Sequence, residues 1–259
     1  MNAKRPPKFA ALTLTLCLLS IAAILLKPRV RAAGEGSITG TVKLVGTPPH
    51  MRGIDMSKDP WCAKQHADSP AHLQLVVAGA NGGLENVVLY ISEGLSASEA
   101  SQKSPAVPVF DQKNCMYVPH VLPMDAGEQY KVITSDQTTH NIHPEPNPMT
   151  GNIPWNRSQP PGASPIVQSW KAQEVAIPVK CNIHPWMHGW FVVVKGPYAI
   201  TNDSGSYTIE NVPPGNYTVT AWQETYGMQT QKVSVSGGKP ANLDFAFKAT
   251  SAPLGGMGR

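Results

Sequence analysis

The chain has 259 residues, 41% hydrophobic and 15% charged, with 25 Pro, 22 Gly and a formal net charge of +4. The positive sign belongs to the first 33 residues, which hold six Lys or Arg and no acid, so the remainder carries −2 and is a poor match for nucleic acid. The roughly 225 residues beyond that point suit one large or two small domains.

At the N-terminus, Lys4, Arg5 and Lys8 precede an uncharged stretch from residue 9 to residue 26, and the small residues Ala32 and Ala33 follow. This is the pattern of an export signal occupying residues 1–33. The same 18-residue stretch is also just long enough to remain as a membrane tether, with Lys27, Arg29 and Arg31 behind it blurring the charge asymmetry that would orient it. Both readings place the chain in the periplasm or outside the cell. Cys17 is a poor site for lipid attachment, because Leu16 precedes it where a small residue is wanted.

Downstream, short alternating or β-branched runs recur at 38–45, 73–77, 87–91, 130–134, 174–179, 191–194, 207–209, 217–222, 232–235 and 243–247, separated by Gly, Pro, Asn and Asp. No long amphipathic helix interrupts them, so an all-β sandwich architecture is expected. Residues 97–103 read as one or two helical turns. Residues 144–165 are too rich in Pro and Asn for regular structure and read as a long loop covering a site or docking a partner. The tail, residues 249–259, contains Gly255, Gly256 and Gly258 and is expected to be disordered.

Without the leader, three cysteines remain: Cys62, Cys115 and Cys181. In an exported chain an odd count implies one disulfide and one thiol with another task. Cys181 lies among His and Met, which leaves Cys62 and Cys115 as the pair. The alternatives are three buried thiols, or a second metal site containing Cys115 and His120.

The segment Cys181-Asn182-Ile183-His184-Pro185-Trp186-Met187 brings a thiolate, an imidazole and a thioether within seven residues, and the pair His140-Asn141 lies upstream. A copper ion changing oxidation state is well served by soft sulfur with borderline nitrogen, as in a His2Cys plane with a weak axial Met. The spacing Cys-x-x-His-Pro-x-Met resembles the ligand loop of amicyanin, and residues 105–196 resemble a cupredoxin of the Greek-key type. That resemblance implies one type 1 copper held by His140, Cys181, His184 and Met187, with Asn141 tying the two ligand loops together. His143 is a rival to His140, and His188 is a rival to Met187 in the axial place. His120 reads as a hydrogen-bonded structural histidine or a ligand, and His50, His66 and His72 as solvated residues. Zinc would also accept this donor set.

A second resemblance lies in Thr201-Asn202-Asp203-Ser204-Gly205-Ser206-Tyr207 followed by Val212-Pro213-Pro214-Gly215-Asn216-Tyr217. It is similar to the later half of a carboxypeptidase-regulatory-like, or prealbumin-like, β-sandwich. Gly40-Thr41-Val42 with Gly46-Thr47-Pro48 fits the opening of such a unit. The expectation is a discontinuous sandwich made from residues 35–100 and 197–248, with the cupredoxin inserted and Cys62–Cys115 stapling the two.

These features imply a carrier of single electrons between redox proteins, with Trp186 as the patch through which electrons leave. An enzyme is not expected, since no base-nucleophile pair and no open metal position can be identified. Two other functions are compatible with the sequence. One is a cell-envelope module that binds a polysaccharide or protein through Trp222 and Tyr226, any metal being structural. The other is periplasmic copper delivery, which would use a weak, accessible site.

Overall fold

Two strands, β2 (Val88–Glu93) and β11 (His188–Val194), organise the molecule, because each is buried on both faces. In the computed structural model, which describes residues 34–96, 99 and 106–249, alternate residues of β2 enter different cores. Leu89 and Ile91 face one way and Val88 and Tyr90 the other. In β11, Phe191 and Val193 face one core, and Val192 and Val194 another. Such two-sided burial accounts for nearly continuous apolar runs where a one-sided strand would alternate.

Four sheets are built around these strands. The first has the order β13 (Ser206–Val212), β1 (Gly36–Val45), β16 (Pro240–Asn242), with β17 (Phe245–Lys248) running parallel to the second half of β1. The second has the order β12 (Tyr198–Ile200), β2, β14 (Gly215–Gln223), β15 (Gly227–Val235). Their facing side chains, among them Ile38, Val42, Leu89, Val219 and Phe245, form one core. Strands from both ends of the chain therefore pair: Thr39 with Thr208 across β1 and β13, and Leu89 with Ala221 across β2 and β14.

The third sheet has the order β5 (Val121–Asp125), β11, β10 (Glu174–Lys180), β7 (His140–Pro144), β8 (Arg157–Gln159). The fourth has β4 (Met116–Val118), β3 (Val109–Lys113), β6 (Gln129–Thr134), β9 (Ile166–Ser169). Between them lies a core rich in aromatic rings, with Phe110 stacked on Tyr117 at 4.8 Å and Phe191 tilted against Tyr130 at 4.9 Å. The second and third sheets also meet. Val88, Tyr90 and Trp222 pack against Val121, Val192 and Val194, joining the two sandwiches through a third apolar cluster.

The molecule is nearly all β, as the alternation requires, and several local features differ from the sequence reading. Residues 73–77 form no strand. Leu73 N–H is taken by Arg52, and the Leu75 carbonyl accepts from the Gln223 amide and the Thr225 hydroxyl, so side chains replace a strand ladder. The 144–165 segment contains β8 and a 3-10 turn at Pro148–Thr150, because its return path lies beside the edge of β7. A short helix, α1 (Pro60–Gln65), forms where no helix was anticipated, with Asp59 as N-cap and Pro60 at its first position. Met56 and Cys62 from this region lie in the core of the second sandwich, so the 35–100 stretch is divided between the two cores. The expected leader or anchor, the helical turns at 97–103 and the tail from residue 250 fall outside the described residues, apart from Glu99. No helix of the described residues is long and apolar enough to cross a membrane.

Candidate metal centre

His140 opens β7, and Cys181, His184 and Met187 lie on the turn between β10 and β11. That turn is closed by its own backbone, with Met187 N–H donating to the His184 carbonyl at 2.9 Å and Cys181 N–H donating to the Met187 carbonyl at 3.1 Å. Pairing of Lys180 with both His143 and His188 sets these two segments side by side. The result is a compact group: His140 Nδ1 lies 2.9 Å from His184 Nδ1, and Cys181 Sγ lies 3.8 Å from His184 Nδ1. One donor atom from each of the three residues lies within 4.8 Å of the others. The site is closed, with His140 0%, Cys181 3%, His184 2% and Met187 1% exposed.

The outer nitrogens determine what the inner ones can do. His140 Nε2 is 2.8 Å from Asp136 Oδ2, and His184 Nε2 is 3.0 Å from Asp59 Oδ2. A carboxylate accepts, so each Nε2 carries the proton and each Nδ1 is left with its lone pair pointing inward. Two lone pairs facing one another at 2.9 Å beside a thiol require a cation between them, either a proton or a metal ion. Without metal, the proton is retained. Burial works against charge on His140, but Asp136 and Cys181 more than offset it and hold its pKa up at about 9. His184 is likewise raised, burial again opposing and Cys181 and Asp59 prevailing. Burial disfavours the Cys181 thiolate, yet His140, His184 and the N–H groups of Asn141 and His184 bring its pKa down to about 6. Those N–H groups lie 3.5 and 3.4 Å from the sulfur.

Asn141 connects the two segments. Its side-chain oxygen accepts Asn182 N–H at 2.6 Å, and its amide nitrogen donates to Asn156 Oδ1 at 2.7 Å. The Tyr117 hydroxyl donates to its carbonyl at 2.8 Å. His143 lies outside the group, with its Nδ1 3.1 Å from Asn182 Oδ1, because alternation along β7 turns it away from the core that receives His140 and Ile142. His188 is also elsewhere, grouped with His120 and Glu224, while Met187 is buried in the core that contains Cys181. The Trp186 ring is 5.1 Å from that of His184, and its N–H donates to the Cys115 carbonyl at 3.1 Å. His120 is bonded to Glu224, and His66 bridges to the Asn114 carbonyl at 2.7 Å, so His66 is not merely solvated.

Cys62 and Cys115 form a disulfide beside the site. It joins α1 to the tight β3–β4 turn, where Asn114 (φ 52°) and Cys115 (φ 55°) both take the left-handed conformation of a type I′ hairpin. Asp136 accepts the N–H of both turn residues at 2.6 and 2.7 Å, and Asp59 accepts the N–H of Trp61 and Cys62 at 2.9 and 3.0 Å. The two carboxylates behind the imidazoles are thus anchored at the two ends of the disulfide. Sequence reasoning missed both. Asp59 carried a usable signal, an N-cap residue followed by Pro. Asp136 had none beyond standing four positions before His140.

Residues 192–248 match the family model of the carboxypeptidase regulatory-like domain. No curated protein matches the chain. Among solved structures the chain is similar to a purple cupredoxin from Nitrosopumilus maritimus, at 15% identity over 33% of this chain and 98% of that chain, with a TM-score of 0.28. It is similar to amicyanin from Paracoccus versutus at 13% identity, over 40% of this chain and 96% of that chain, with a TM-score of 0.30. A copper-containing nitrite reductase from Thermus scotoductus is similar at 15% identity, over 39% of this chain and 25% of that chain, with a TM-score of 0.30. The matched segment 192–248 contains both motifs, Thr201–Tyr207 and Val212–Tyr217, that resemble the carboxypeptidase regulatory-like domain.

Proposed function

We propose that the chain is an exported carrier of single electrons that binds one copper ion through His140, Cys181, His184 and Met187. The observation that supports this most is the inward-facing pair of Nδ1 lone pairs, held in place by Asp136 and Asp59, beside a thiol whose pKa is already depressed. A His2Cys set with a thioether nearby is soft and matches copper better than zinc. When bound, copper supplies a one-electron couple.

The residues of the chain do the rest. Cys181 gives up its proton and offers a thiolate, stabilised by two N–H groups. Asp136 and Asp59 fix the imidazole tautomers. The near-complete burial of all four candidate ligands leaves no position for a substrate, which favours electron carriage over catalysis and over delivery of the metal to another protein. Exposed Ile183 and Pro185 flank His184 in sequence, and with Trp186 they form the surface at which a redox protein would approach. The disulfide supports an oxidising compartment, hence the periplasm or the cell exterior. The competing envelope-binding reading required Trp222 and Tyr226 to present an exposed aromatic platform. Trp222 instead lies between the two sandwiches, and Tyr226 stacks on Phe247.

The test is the visible absorption spectrum of the chain after addition of Cu(II), recorded beside Cys181→Ser. An intense blue thiolate-to-copper band that disappears in the variant is the expected result. Absence of the band from the unaltered chain overturns the reading.

A further inference from the structure

A second group of metal-ligating side chains lies where the two sandwiches meet. His120 stands in the turn between β4 and β5, His188 opens β11, and Glu224 follows β14, so two imidazoles come from one sandwich and the carboxylate from the other. One donor atom from each lies within 4.8 Å of the other two. Glu224 Oε1 is 2.5 Å from His120 Nε2, and its other oxygen accepts Trp190 Nε1–H at 2.7 Å, which fixes the plane of the carboxylate. The side chains of His120 and Glu224 are 2% and 1% exposed.

His188 makes this arrangement more than an ion pair. Its Nδ1 lies 3.0 Å from the Trp186 carbonyl, which only accepts, so the proton is on Nδ1 and Nε2 presents a lone pair. That Nε2 is buried and has no hydrogen-bond partner among the described residues, as is also true of His120 Nδ1. A buried polar atom left without a partner has lost its water and gained nothing in return. Imidazole nitrogen with its proton held by a backbone carbonyl, beside a carboxylate held by an indole N–H, is the usual preparation of metal ligands by their surroundings.

We propose that His120, His188 and Glu224 bind a divalent metal ion that clasps the two sandwiches together, independently of the copper site. Two nitrogens and one carboxylate oxygen suit zinc, with a fourth position for water. The ion takes the place of the proton shared by His120 and Glu224. Tetrahedral ligands with bonds of about 2.0–2.1 Å stand about 3.3 Å apart, so the pair opens by less than an ångström to admit it.

The experiment is equilibrium dialysis against excess Zn(II) followed by metal analysis, on the unaltered chain, on Glu224→Gln and on His188→Gln. Glu224→Gln keeps the shape of the side chain and still accepts from Trp190. The two substitutions act from opposite sandwiches, and thermal unfolding in chelator checks that each folds. The unaltered chain is expected to hold one zinc per molecule more than either variant, and His140→Ala/Cys181→Ser is expected to keep that zinc. If both glutamine variants bind as much zinc as the unaltered chain, the proposal is overturned. Zinc retained in His140→Ala/Cys181→Ser, with no copper band in the unaltered chain, would sustain this site while removing the other.

Discussion

His140 Nδ1 and His184 Nδ1 face each other at 2.9 Å, although they arise from segments 44 residues apart and belong to rings whose outer nitrogens are held by different carboxylates. Neither ring can turn away without breaking a hydrogen bond, buried for Asp136 and part-buried for Asp59. The arrangement of the two rings is therefore set by the chain itself, which is what the proposed copper centre would need to keep one geometry in both oxidation states.

The Asp136 carboxylate should be visible in the pH dependence of the metal-free chain. His140 is raised to about 9 from an ordinary value near 6.5. A raised imidazole contributes stability that is fully present below the unfolded value and is lost as pH rises through the folded one. Asp136→Asn should therefore be destabilised most below about pH 6.5, with a deficit that shrinks toward about pH 9. Denaturant titrations in chelator at the two ends of this window measure it. A deficit that grows with pH contradicts the assignment.

Removing the disulfide should affect both stability and the site. Its half-cystines are separated by 53 residues, and a loop of that size corresponds to about 4 kcal/mol of chain-entropy stabilisation. Cys62→Ser/Cys115→Ser should lower the denaturation midpoint accordingly. Since the anchors of Asp59 and Asp136 adjoin the two half-cystines, copper affinity should also fall. Unchanged affinity in a folded double variant would show that the hydrogen bonds of the two carboxylates suffice.

Trp186 touches His184 and is only half-buried. Trp186→Ala should leave the blue band in place and slow electron self-exchange between copper-loaded molecules at least several-fold, as read from line broadening in nuclear magnetic resonance. Loss of the band instead would make Trp186 a packing residue, acting through its hydrogen bond to Cys115.

Gly205 turns the chain between β12 and β13 at φ +75°, where an added Cβ would lie 2.3 Å from the Val42 carbonyl. That carbonyl accepts Leu84 N–H, and Val42 N–H donates to Gly205, so the clash falls on a backbone junction that cannot yield easily. Gly205→Ala should cost on the order of 2 kcal/mol or more. Urea unfolding is the measurement, and a near-neutral result would show that this junction relaxes.

Much of the molecule was legible in the residues because it depends on local patterns. Alternation and turn chemistry predicted an all-β chain, and Cys181-x-x-His184-Pro185-x-Met187 with His140-Asn141 singled out His140, Cys181 and His184, whose donor atoms the fold gathers within 4.8 Å of one another. Such information lies within a few residues, in spacing and donor chemistry. The odd cysteine count paired Cys62 with Cys115 for a similar reason, the chemistry of thiols in an oxidising compartment.

The tertiary structure decided what depends on distant segments meeting. Only the fold brings Asp59, more than a hundred residues before His184 in the chain, to its outer nitrogen, pleat direction separates His140 from His143, and the end of the β10–β11 turn separates Met187 from His188. Apolar runs such as Val88-Leu89-Tyr90-Ile91 do not reveal which residue enters which core, since period-two patterning disappears when both faces are buried. Nor does anything near His120, His188 or Glu224 in sequence announce that they converge. That meeting is created by packing Trp222, Val192 and their neighbours between two sandwiches, a long-range burial that no local pattern encodes.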